Sequence, residues 1–185
     1  MSNLIYLDNN ATTKVDERVL EVMLPYLKEE YANPSSMYEF AKRPAHAIKE
    51  ARGKMKDFFN ASNEKEIIFT SCGSESANTA IRGVLNMDRS KKHIITSKVE
   101  HPCVLNLYQT LAKDGYSVDY IGVNSNGELD LAQLEEAINE DTALVSIMYA
   151  NNEIGSVLPI AEIGKVCREA CVIFHTDAVQ AAGHL

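Results

Sequence analysis

Tryptophan is absent from these 185 residues, and aromatic side chains make up only 7% of them. A core here has to be built from aliphatic residues, which the 45% hydrophobic content can supply. Positive charge is also scarce: 18 Lys and Arg stand against 26 Asp and Glu, a net charge of -8. The longest basic cluster is Arg89-Ser90-Lys91-Lys92. Nothing in the chain can neutralise a run of phosphates, which excludes a nucleic-acid surface and argues against anionic membranes. No apolar run approaches the length that spans a bilayer, so no membrane partner is expected. The first residues, Met-Ser-Asn-Leu-Ile-Tyr-Leu-Asp, lack the basic and apolar regions of a signal peptide. Cysteine is limited to Cys72, Cys103, Cys167 and Cys171, too few for a disulfide framework in a chain of this length. A reducing, cytoplasmic setting is the expectation. Repeats, low-complexity tracts and linkers are missing as well.

Short β-rich runs alternate with helical patterns. The runs are 66–70, 93–96, 118–121, 143–148 and 172–174. Helices are expected over 74–85, 102–112, 131–138 and 159–170, the last opened by Pro159. Upstream, apolar spacing predicts a helix over 15–31 bent at Pro25, and another over 37–59 with Pro44 as its flaw. Strand–helix alternation implies an α/β fold with a mostly parallel sheet, whose ligands sit beyond the carboxyl ends of the strands.

The residues after each run therefore carry the chemical information. Thr70-Ser71-Cys72-Gly73-Ser74 leads from a predicted strand into a helix, where backbone N–H groups bind anions and a glycine admits close approach. A capped helix without a ligand reads equally well here, and the turn is neither a P-loop nor a dinucleotide fingerprint. His101 follows the second run and precedes a proline that can open a helix; a histidine there can move protons, stack or simply cap. Asn151, Asn152 and Glu153 follow the fourth run, and a plain turn accounts for them too. Asp177 follows the last run, and a carboxylate at a buried strand end is tolerated when it meets a positive partner. An anion site at one strand end and a carboxylate needing a cation at another describe a ligand with both poles. Pyridoxal 5'-phosphate, with its phosphate and its ring nitrogen, fits.

A zinc site drawn from His93, His101, His175, His184, Asp177 and Cys103 lacks any recognisable ligand spacing, so no metal is expected. Cys167 and Cys171, four apart on one predicted helix, read as core residues.

Six motifs occur in order: YLDNNATT at 6–13, NPSS at 33–36, FTSCGSESAN at 69–78, EHP at 100–102, NNEIG at 151–155 and HTDAVQAAG at 175–183. Together they resemble the cysteine desulfurases of the NifS/IscS-like group, class-V aminotransferases of pyridoxal phosphate fold-type I. The resemblance implies a three-layer α/β/α large domain, seen here as its N-terminal part over 15–185, with residues 1–14 packing on a small domain. It implies that Gly73 and Ser74 cradle the phosphate and that His101 stacks on the ring and moves protons. Asn152 and Gln180 would lie beside the phenolic oxygen, with Asp177 pairing with the ring nitrogen. Asn9, Ala11 and Thr12 would face the substrate, L-cysteine. A homodimer and a sulfur-accepting scaffold protein are the implied partners.

The sequence departs from the pattern in two places. After NPSS the family has a histidine and a glycine where this chain has Tyr38 and Ala41. The Schiff-base lysine is expected after Gln180, yet no lysine follows Lys165, and none of the four cysteines matches the persulfide-forming one. The expectation is a truncated chain that by itself is inactive. A non-catalytic half that binds cofactor or a partner, and a selenocysteine lyase or other fold-type I lyase, are the other readings.

Overall fold

The computed structural model describes residues 5–185, which divide at Phe69 into two units. In the first, helix α1 (Glu17–Lys28) starts at Asp16, whose side chain accepts the Arg18 N–H, and contains Pro25. Helix α2 (Lys42–Phe58) follows a short 3-10 turn, Glu39–Ala41. Pro44 is no flaw here. It stands in the first turn of α2, where its missing N–H would have had no intrahelical acceptor, and it is the helix's one buried residue. The unit closes with the 3-10 turn Glu64–Glu66 and an extended stretch ending at Phe69.

That stretch corrects one expectation. The β-rich run 66–70 pairs with no strand among the described residues, and Ile68 and Phe69 remain 69% and 50% exposed. Branched and aromatic residues favour extended backbone, but a strand needs a ladder partner to satisfy its N–H and C=O groups. Arg52 supplies a local substitute: its guanidinium donates to the Ile67 carbonyl and lies over the Phe69 ring.

The second unit is an alternating α/β layer structure. Helix α3 (Gly73–Met87) is followed by β1 (His93–Ser97), α4 (Pro102–Lys113), β2 (Ser117–Ile121), α5 (Leu131–Ala137), β3 (Thr142–Ser146), α6 (Ile160–Glu169) and β4 (Ile173–His175). All neighbours in the sheet are parallel, in the order β2-β1-β3-β4. Alternation along the strands sends side chains to opposite faces. Ile94 and Leu144 meet Ala77, Ile81 and Leu85 of α3 and Val104, Leu107 and Leu111 of α4. Ile95 and Val145 meet Leu134 of α5 and Ile163 and Cys167 of α6 on the other face. Helices thus cover both faces, which is why β1 is buried from end to end, its polar His93, Thr96 and Ser97 included.

Of the two cysteines read as core, only Cys167 is buried, and desolvation pushes its thiol up to about 11. Cys171 is exposed: α6 ends at Glu169, and Cys171 takes a left-handed conformation with φ 56° beyond it. Among the described residues no helix is long and apolar enough to cross a membrane.

Candidate active site at three strand exits

Parallel strands put the exits of β1, β3 and β4 on one edge of the sheet. The β4 exit is pinned to β3 by backbone bonds, with the Ile147 N–H donating to the His175 carbonyl at 3.1 Å and the Tyr149 N–H to the Asp177 carbonyl at 2.9 Å. The β1 and β3 exits are joined by the buried Asn151, whose Nδ2 donates to the Val99 carbonyl at 3.0 Å while its Oδ1 accepts the Glu153 and Ile154 N–H groups. Asn151 is therefore the fastener of its turn, which leaves its neighbour Asn152, half-buried and donating to Glu153 Oε1 at 2.9 Å, as the amide available to a ligand.

The N-terminus of α3 reaches the β4 exit directly. A Cβ placed on Gly73 would lie 3.1 Å from Val179 Cγ2, tighter than ordinary contact, so the approach of these two turns requires glycine or a shift of Val179. Gly73 and Ser74 open α3 and are exposed, with their N–H groups at the positive end of the helix dipole. Glu75 turns back instead of forward: its Oε2 accepts the Ser71 N–H at 2.7 Å and the Ser71 hydroxyl at 2.6 Å, and these bonds hold its carboxyl below the ordinary range. Thr70 and Ser76 hydroxyls meet at 2.6 Å across the same turn. The Glu75 N–H and the Ser71 hydroxyl lower the exposed Cys72 thiol.

Asp177 keeps its own turn closed by accepting the Val179 N–H on Oδ1 at 3.0 Å, and it is half-buried. Its negative charge bears on two neighbours. It opposes the burial that lowers His175, whose Nδ1 meets the Ser146 hydroxyl at 2.8 Å, and it adds to the burial that raises Glu100. His101 caps α4. Its Nδ1 accepts the Cys103 N–H at 3.2 Å and lies 2.9 Å from Cys103 Sγ, so the neutral ring carries its proton on Nε2. Gln180, half-buried, follows one turn after Asp177.

The second unit thus brings together Gly73, Ser74, His101, Asn152, Asp177 and Gln180 on the strand-exit edge. Asn9, Ala11 and Thr12 belong to the first unit, in an exposed turn closed by the Ala11 N–H onto the Asp8 carbonyl at 3.2 Å. His93, one of the histidines weighed for zinc, starts β1 at the opposite end of the strand, where its ring nitrogens meet Thr142 Oγ1 at 2.8 Å and Asp119 Oδ2 at 3.1 Å. Sequence reasoning missed Glu100, which the geometry places between the β1 and β3 exits. The available signal was an ionisable residue between the apolar Val99 and the candidate His101.

The donor set fits pyridoxal phosphate: helix N–H groups and hydroxyls for the anion, a carboxylate for a protonated ring nitrogen, and amides and an imidazole between them.

Known proteins match this chain over nearly its whole length. A cysteine desulfurase of Nostoc sp. is 53% identical over 183 residues, which is 99% of this chain and 46% of that protein. Among solved structures, a NifS-like protein superposes with a TM-score of 0.92 at 38% identity, covering 96% of this chain and 49% of its own. SspA in complex with cysteine superposes with a TM-score of 0.90 at 42% identity, covering 95% of this chain and 51% of its own. The chain spans about half the length of the curated relatives it matches. The family model described as Aminotransferase class-V matches residues 5–185, and the chain belongs to that family.

Proposed function

We infer that these residues form the cofactor-facing half of a pyridoxal 5'-phosphate-dependent cysteine desulfurase. The reaction takes sulfur from L-cysteine, leaves L-alanine and carries the sulfur as an enzyme persulfide toward iron–sulfur cluster or thio-cofactor assembly. The observation behind this reading is the approach of the α3 N-terminus to the Asp177 turn at Gly73 and Val179, which sets an anion site beside a carboxylate. Relatives called cysteine desulfurase, and a structural neighbour in complex with cysteine, supply the substrate.

When bound, the cofactor supplies an electron sink for carbanion chemistry. Gly73 and Ser74 would hold the phosphate through backbone N–H groups and the Ser74 hydroxyl. Asp177 would keep the ring nitrogen protonated. Asn152 and Gln180 would donate toward the phenolic oxygen. His101 would stack on the ring and move protons through Nε2, since its Nδ1 accepts the Cys103 N–H. Residues 1–14, with Asn9, Ala11 and Thr12, serve the substrate side and pack on the small domain, while 15–185 belong to the large one. The complete enzyme works as a cytoplasmic homodimer and hands sulfur to a scaffold protein. The lysine and the persulfide cysteine implied by the resemblance match no residue here, so turnover by these 185 residues alone is not expected.

Pyridoxamine 5'-phosphate tests the reading cleanly. It carries the phosphate and ring nitrogen but no aldehyde, so it reports the non-covalent contacts without reacting with lysines. Saturable binding that is lost when the phosphate is removed from the probe is expected. Equal binding of probes with and without phosphate, or no saturable binding, would overturn the reading.

A further inference from the structure

Glu100 is 4% exposed. It sits three residues beyond β1 and one before His101. Its Oε1 accepts two hydrogen bonds, from the Ser97 hydroxyl at 2.6 Å and from the Met148 N–H at 2.8 Å. The first closes the β1 exit on itself. The second crosses to the β3 exit, two residues past the end of that strand and four before Asn152. Oε2 is equally buried and meets no donor among the described residues. An ionised carboxylate would leave half its charge on that oxygen with nothing to solvate it, at a desolvation cost that buried groups escape by taking up a proton.

We propose that Glu100 is a positioning residue: a neutral carboxylic acid that clamps the β1 exit to the β3 exit through Oε1, carries its proton on Oε2, and keeps a second negative charge away from Asp177.

The surroundings point the same way. Burial raises the Glu100 carboxyl to about 7, the Ser97 and Met148 bonds pull against that, and the charge of Asp177 adds to it. From α4, the Tyr108 phenol also faces Glu100, and burial keeps that phenol protonated. An ionised Glu100 would place a second negative charge near the Asp177 carboxylate that is to hold a ring nitrogen. The clamp acts through its neighbours: it fixes the turn that presents His101 relative to the turn that presents Asn152, and touches neither ligand nor reacting atom. Its bearing on Asp177's ligand rests on the cofactor reading above, whereas the clamp itself does not.

Glu100→Gln keeps an acceptor at Oε1 and places a donor where the acid proton would be; Glu100→Ala removes the clamp. Hydrogen exchange at the Met148 amide, with no cofactor present, reads it directly. Protection within about threefold of wild type is expected for Glu100→Gln, and a loss of about tenfold or more for Glu100→Ala. Infrared difference spectra should show the C=O stretch of a protonated carboxyl at about pH 5 in the wild type that is missing in Glu100→Gln. Unchanged protection in Glu100→Ala would overturn the clamp. Loss of protection in Glu100→Gln equal to that in Glu100→Ala would overturn the neutral acid. Should Glu100→Ala not fold, the infrared band decides alone, and its absence from the wild type at about pH 5 overturns the proposal. Pyridoxamine phosphate affinity is then measured separately: a clamp that passes these tests in a protein that does not bind the probe would sink the cofactor reading and leave the clamp standing.

Discussion

In the second unit every residue of β1 is buried and α3 and α4 close on Ile94 and Leu144, whereas in the first unit α1 buries none of its 12 residues. Both helices of the first unit are as amphipathic in sequence as those of the second. Leu20, Met23 and Leu27 repeat at helical spacing, yet all three stay exposed. Helical period reports that a face is apolar; it does not report whether the described residues contain what covers it. Strand-forming runs behave alike. The residues 93–97 and 67–70 are both rich in branched side chains, but only the first has a ladder on each side. Stability and the candidate site are accordingly concentrated in the second unit.

The sharpest way to break that comparison is a pair of core truncations. Ile95→Ala, at a side chain packed against both α5 and α6, is expected to cost about 2–5 kcal/mol in urea unfolding of the second unit's signal, while Leu20→Ala in α1 should cost under about 1 kcal/mol. Equal losses would mean that α1 is covered as fully as the sheet.

The next effect is a pH dependence confined to the second unit. Glu100 is raised from the ordinary 4.5 to about 7 in the folded chain. Between those values Glu100 binds more protons in the folded state than in the unfolded state, so its contribution to stability falls as pH rises through the window and levels off above it, while the lowered His175 acts in the opposite sense below its ordinary 6.5 in wild type and variant alike. The Glu100 contribution is at most about 3 kcal/mol and is read as the difference between the wild-type and Glu100→Gln profiles. Urea midpoints recorded across the window check the sign. A stability that climbs there in the wild type and not in Glu100→Gln would show an ionised, stabilised carboxylate instead.

Smaller still is the cap of α5, where Asp130 accepts the Gln133 N–H at 3.0 Å; Asp130→Ala should cost about 1 kcal/mol by the same assay. At the bottom of the scale, the ion pair of Lys14 with Glu17 is about four-fifths exposed on both sides, and Lys14→Ala should leave the midpoint unmoved.

Much of the second unit was legible in the sequence because local and tertiary signals coincide there. Each buried strand falls on a short β-rich run, and Pro102 and Asp130 mark the starts of α4 and α5 within a residue. The candidate residues were legible because parallel strands force their exits to one edge. Gly73, His101, Asn152 and Asp177 all stand a few residues past a β-rich run, and that position identifies them without the fold in detail. The features that were not legible depend on partners distant in sequence. The run 66–70 has strand composition but no ladder partner. Pro44 looks like a helix breaker until the 3-10 turn before it puts it in a first turn, where proline costs little. Cys171 shares helical spacing with Cys167 but falls past the helix end. Glu100 went unread because its role is a bond to Met148, 48 residues away.

The most direct test of the central claim, that the strand exits form a bipolar ligand site with Asp177 as its anionic pole, is the affinity of pyridoxamine 5'-phosphate for Asp177→Asn against wild type. Asparagine preserves the size of the side chain and its acceptor for the Val179 N–H but removes the charge. Loss of a charged hydrogen bond to the ring nitrogen should weaken binding by about tenfold to a hundredfold. Unchanged affinity in Asp177→Asn would contradict the account.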